Sequence, residues 1–105
     1  MITKEGKYGL RQTDIEQIQD VFKKHPDIQA AILYGSRALG NHRTGSDIDL
    51  TLKGDLSTSQ LFQLEQELDD LLLPYKIDLS IFNTIKNLDL IDHINRVGKV
   101  FYEKR

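Results

Sequence analysis

The feature that most constrains this chain is a break between two apolar runs. Ile28-Gln29-Ala30-Ala31-Ile32-Leu33-Tyr34 stops at Gly35-Ser36, ten residues follow, and the chain resumes on Asp47-Ile48-Asp49-Leu50-Thr51-Leu52. Alternate side chains of a strand share a face, so Asp47 and Asp49 point one way and Ile48 the other. Two carboxylates this close repel unless a positive charge lies between them, and a divalent cation is the simplest one. Glycine lets backbone approach a phosphate closely. The Ser36 hydroxyl and the amides after it suit a terminal phosphate. Arg37 and Arg43 are candidates to neutralise further phosphate charge.

The rest of the chain supplies a framework for this stretch. Residues 1–12 read as a lead-in. Thr13-Asp14-Ile15-Glu16 has the pattern of a capping box, followed by a helix with Ile15, Ile18 and Phe22 on one stripe. His25-Pro26 ends it, because the residue before proline is pushed out of the α region. Residues 28–34 are a first strand, and Ser36-Arg37-Ala38-Leu39 is a short helix with Ser36 as its cap. Residues 47–53 form a second strand, ended by Gly54-Asp55.

Ser57 and Gln60 are placed for a capping box at the next helix, whose apolar stripe is Leu61, Leu64, Leu68, Leu71 and Leu72. After Pro74, residues 76–81 alternate with period two: Ile77, Leu79 and Ile81 on one face, Asp78 and Ser80 on the other. Asn87 to Val97 reads as a last helix with Leu90, Ile91, Ile94 and Val97 inward, and Lys99 to Glu103 as a short final strand. The alternation of helices and strands predicts one α/β domain of the α+β type, spanning residues 1–105. A small mixed sheet carries its helices on one face. Asp47, Asp49, Thr51, Asp78 and Ser80 then share the open face.

Composition narrows the function. The formal net charge is −2, and the only basic groupings, Lys23-Lys24-His25 and Lys104-Arg105, are short, which disfavours tight nucleic-acid binding. There is no cysteine, which excludes disulfides, thiolate metal sites and a cysteine nucleophile, and fits a cytoplasmic protein. No apolar run approaches the roughly 20 residues a bilayer needs, and Met1 to Gly6 has no apolar signal core.

Asp47, Asp49 and Asp78 converge if the second and third strands are neighbours, because paired strands lie about 4.8 Å apart. An oxygen-only donor set suits Mg²⁺ or Mn²⁺. Two such ions activate an attacking hydroxyl and stabilise the leaving group in phosphoryl or nucleotidyl transfer. Gly-Ser and Asp-x-Asp are each weak signals alone, and a solvated acidic strand is the default for either; their combination is specific. His42 and Arg43 read as solvated loop residues, His25 as a helix end and His93 as helix surface. Lys53 and Lys76 read as flanking charges that balance the acids.

Gly35-Ser36-x10-Asp47-x-Asp49, with Tyr8-Gly9-Leu10, Lys76-Ile77-Asp78-Leu79 and the ending Ile94 to Glu103, resembles the DNA polymerase β-like nucleotidyltransferase superfamily. It is most similar to the minimal nucleotidyltransferases, which consist of the catalytic domain alone; Tyr34 stands where Phe is frequent. The resemblance implies the polymerase β-like nucleotidyltransferase fold. It implies Asp47, Asp49 and Asp78 as ligands for two Mg²⁺ ions, with Asp78 as base toward the acceptor hydroxyl. It also implies that Gly35 and Ser36 hold the nucleotide triphosphate; Arg37 and Ser46 complete the expected ATP-binding set.

Nothing in the chain remains to hold an acceptor, so a second chain or a homodimer mate is expected to supply it. Similar proteins are antitoxins paired with a helical HEPN-domain toxin, which they silence by transferring AMP from ATP to a tyrosine. Three functions follow from the resemblance: an adenylyltransferase antitoxin of that kind, a non-catalytic antitoxin that masks a HEPN partner, and the catalytic subunit of a two-chain small-molecule nucleotidyltransferase.

Overall fold

The computed structural model describes residues 7–105. The expected absence of a signal core at Met1 to Gly6 lies outside them, as does most of the lead-in. The described part of the lead-in is a 3-10 turn, Lys7–Gly9, followed by the fully buried Leu10. That anchor moves the first helix. α1 runs Gln12–Lys23 with Arg11 at its N-cap and no side-chain cap. Thr13 therefore lies inside the helix, and the expected Thr13–Glu16 capping box does not form. Its place is taken by Asp14 in the first turn, 3.5 Å from Arg11 Nε, where a carboxylate complements the helix dipole.

Four strands follow the expected order: β1 Ile28–Tyr34, β2 Ile48–Gly54, β3 Ile77–Ile81 and β4 Lys99–Glu103. They form one sheet in the order β3-β2-β1-β4. β1 is antiparallel to β2 and β4, whereas β2 and β3 run parallel across a helical crossover. The sheet is thus mixed, as the sequence predicts. The crossover helix α3, Thr58–Asp69, opens on the expected capping box: Gln60 N–H donates to Ser57 Oγ, and Ser57 N–H donates to Gln60 Oε1.

α1 and α3 cover one face. Ile15, Ile18, Val21, Phe22, Leu64 and Leu68 pack there on Ala31, Leu33, Leu50, Leu52, Leu79 and Phe101. Leu33, Leu50 and Leu79 form a continuous row across three strands. His25 closes the layer, its Nε2 lying 3.0 and 3.1 Å from the two Glu67 carboxylate oxygens. The Leu stripe of α3 is core except at its end. Leu72, expected inward, is 88 % exposed at φ 56°, beyond the end of the helix. Left-handed backbone strains a residue with a Cβ and suits glycine at a helix end. Replacing Leu72 with Gly is expected to raise unfolding stability by about 1 kcal/mol, read as the shift in a urea midpoint.

The fourth helix refines the one-sided layering. α4, Leu88–Val97, is capped by Asn87 Oδ1, which accepts the Leu90 N–H. It packs on the opposite face, at β1. Buried Ile94 lies there, and Gly98 sits so tightly against Ile32 that a side chain at 98 would collide with it. The face expected to be open is therefore walled on the β1 side, covered at Thr51 of β2, and open at Asp78 of β3.

Candidate active site

The site is built from two rows of side chains on the face opposite the main core. Register pairs Tyr34 of β1 with Asp49 of β2, and Asp49 with Asp78 of β3; the next row is Ile32, Thr51 and Ser80. Asp49 and Asp78 thus stand directly opposite each other on parallel neighbours, about 4.8 Å apart by strand spacing. The Ser80 hydroxyl donates to Thr51 Oγ1 at 2.9 Å, which satisfies the fully buried Thr51. Asp47 lies one residue before β2, which begins at Ile48 instead of 47, and is exposed.

The acids feel one another. Burial pushes the Asp49 carboxyl above the usual carboxylate range, Asp78 and Asp47 push it further, and His93 opposes them. Burial also raises the Tyr34 hydroxyl; the Ser80 hydroxyl opposes this, and Asp49 and Asp78 add to it. The fold therefore collects negative charge that is partly desolvated, a surrounding that favours a cation. Among the described residues no three Asp, Glu or His side chains close into a cage that holds an ion unaided. The donor set nevertheless fits Mg²⁺, which binds through one or two carboxylates and keeps water or phosphate for the rest.

Gly35 is locked to this cluster. It is the N-cap of α2, Ser36–Leu39, at φ 75° and ψ −157°, so Ser36 is the first helical residue and not the cap. A Cβ at 35 would collide with Asp49 Oδ2. Both the conformation and the contact exclude a side chain, so the turn and the carboxylate form one unit.

Two residues of the expected ATP-binding set are engaged in hydrogen bonds within the protein. Arg37 is 2 % exposed. Its guanidinium donates to the carbonyls of Tyr8 at 2.8 Å, Ser46 at 2.8 and 3.2 Å, and Thr44 at 3.5 Å, with Tyr75 stacked 5.0 Å away. These bonds tie the Arg37 guanidinium to the loop that leads to Asp47. Ser46 belongs to the same loop: its hydroxyl accepts the Arg43 N–H at 2.8 Å and its own N–H donates to the Arg43 carbonyl. Arg43 is exposed, as expected. His42, expected in solvent, is half-buried against Gly9. Lys53, read as a balancing charge, sits 5.0 Å over the Phe82 ring.

Sequence reading missed His93. Its Nε2 accepts the Gly35 N–H at 3.1 Å, and its ring meets Tyr34 edge-on with centroids 6.1 Å apart. The available signal was its position between Leu90 and Ile94, inside the apolar stripe of α4. A groove of about 710 Å³, lined by Lys23, Val100, Tyr102 and Lys104 among others, lies between α1 and β4 and holds none of the three acids. The carboxylates instead occupy a walled but open sheet face.

Comparison with known proteins places this arrangement. No curated protein sequence matches the chain. Among solved structures, it is similar to a chain of a toxin–antitoxin complex with AMP-PNP, at 22 % identity and TM-score 0.70, covering 87 % of this chain and 74 % of that one. It is also similar to a chain of the toxin–antitoxin MntA–HepT, at 21 % identity and TM-score 0.65, covering 89 % and 73 %. A third is a chain of a complex of tri-AMPylated Shewanella oneidensis HEPN toxin with an MNT antitoxin, at 21 % identity and TM-score 0.65, covering 89 % and 72 %. At these identities the likeness shows a shared fold. No described helix is long and apolar enough to cross a membrane. The family profile described as "Polymerase beta, Nucleotidyltransferase" matches residues 16–105: the chain belongs to the polymerase β nucleotidyltransferase family.

Proposed function

We propose that the chain is a Mg²⁺-dependent protein adenylyltransferase, an antitoxin that transfers AMP from ATP to a hydroxyl of a HEPN-domain toxin. The observation that carries this is the Tyr34–Asp49–Asp78 row with Gly35 pressed against Asp49. Phosphate-approaching backbone and paired carboxylates there meet at one point. The toxin–antitoxin neighbours, one with AMP-PNP and one with an AMPylated HEPN toxin, support the nucleotide and the partner class.

Asp47 and Asp49 would hold the metal, with Asp78 completing the set. Mg²⁺ held there would supply charge neutralisation for the triphosphate and would acidify the acceptor hydroxyl. The Gly35–Ser36 turn seats the phosphates beside Asp49. Asp78 takes the acceptor's proton while the acceptor oxygen forms a bond to the α-phosphorus. The bond from that phosphorus to the bridging oxygen breaks, and pyrophosphate leaves. The face is open at Asp78, which leaves room for an acceptor from another chain.

The test is transfer of α-phosphate label from ATP to a co-purified HEPN partner. Label on the partner that requires Mg²⁺ is the expected result. Neutralisation of the partner with no label would refute the reaction and leave masking as the mode of action. Label leaving the protein fraction would point to a small-molecule acceptor.

A further inference from the structure

Gly35 carries the turn on which the proposed phosphate contacts depend, and its conformation is not self-supporting. At φ 75° a glycine peptide has few intrinsic constraints and flips readily between orientations. Its N–H sits at the base of α2 in a half-buried position, where a donor shielded from water gains from a fixed partner. The partner comes from 58 residues away, at His93 Nε2, 3.1 Å distant. His93 is itself held on two sides: by the edge-on Tyr34 ring, and by α4, which the buried Ile94 ties to the sheet.

We infer that His93 is a positioning residue, a latch that fixes the Tyr34–Gly35 peptide so that Gly35 stays seated against the Asp49 carboxylate. It touches no reacting atom. It acts through the orientation of one peptide, and therefore through the shape of the turn offered to the triphosphate. Accepting the Gly35 N–H requires the tautomer with a bare Nε2 and a proton on Nδ1. The functional consequence for ATP rests on the nucleotidyltransferase reading above, whereas the latch itself does not.

The experiment uses the full chain labelled with ¹⁵N. In the wild type at neutral pH, the long-range ring spectrum of His93 is expected to show Nε2 unprotonated; the opposite tautomer overturns the latch. Two variants then separate acceptor from packing. His93→Leu fills the space without an acceptor, and His93→Gln returns a carbonyl oxygen near the Nε2 position. Gly35 amide exchange is expected to accelerate about tenfold or more in His93→Leu, and the affinity for Mg·ATP to fall about tenfold. His93→Gln is expected to restore both to within about threefold of wild type. Unchanged Gly35 exchange in His93→Leu, or equal losses in the two variants, refutes the proposal. Gly35 exchange that responds as expected in a wild type that binds no Mg·ATP upholds the latch and refutes the nucleotide reading instead.

Discussion

Asp49→Asn is expected to abolish nucleotidyl transfer and at the same time to make the protein more stable at neutral pH. Loss of the carboxylate proposed to bind the metal should lower the rate by about 10³-fold or more, roughly 4 kcal/mol of transition-state stabilisation. The stability gain follows from the sign of the pKa shift. Burial, Asp78 and Asp47 hold the folded-state pKa of Asp49 above its unfolded value. The contribution of Asp49 to stability is therefore fully present below the ordinary carboxylate pKa and is lost as pH rises through the raised value. Asparagine removes that loss. Thermal unfolding across pH 3 to 8 should show wild-type Tm falling, relative to that of Asp49→Asn, as pH rises from the ordinary carboxylate range through the raised pKa, and staying lower above it. Added Mg²⁺ should raise the wild-type Tm and leave the variant unmoved. Equal Mg²⁺ stabilisation of both would remove Asp49 from the metal site.

Arg37→Met is expected to be the most destabilising single change near the site. Methionine matches the length of the buried stem but strands the carbonyls of Tyr8, Thr44 and Ser46. Thr44 is exposed and water can take its carbonyl, whereas Tyr8 and Ser46 are half-buried; acceptors stranded there cost about 1–3 kcal/mol each, so about 2 kcal/mol or more is at stake, a fall in Tm of roughly 8 °C or more for a domain of this size. Arg37→Lys should recover little, because an ammonium is a point charge and cannot span the fork of acceptors. Urea denaturation checks both. An Arg37 variant of unchanged stability whose only defect is a raised KM for ATP would restore this residue to the triphosphate.

What the sequence made legible was what local rules control. The Ser57–Gln60 capping box needs only spacing. The alternation of Asp78 and Ser80 with Leu79 and Ile81 needs only the strand period. The turn at Gly35-Ser36 and the acids at 47 and 49 announce themselves through residue type. The same local rules misled at Thr13, where a valid capping pattern was overruled by the burial of Leu10 one turn earlier. They did not reveal the partners of Arg37 and His93, for a physical reason. Arg37 is defined by carbonyls 7, 9 and 29 residues away in the chain, and His93 by an amide 58 residues away. Carbonyls and amides carry no residue identity, so such partners leave no trace in a pattern of side chains.

The parallel pairing of β2 with β3 carries a consequence for fidelity of assembly. Side chains alternate, so a slip of one residue between these strands would bury Asp78 and push Leu79 into solvent. Leu79 is 6 % exposed and joins the Leu33–Leu50 row, so a misregistered chain loses that apolar contact and also buries a charge. Leu79, on the opposite face from any nucleotide, thus acts as a proofreader. It makes an off-register sheet a poor competitor and delivers the acid to the correct side before any ligand arrives.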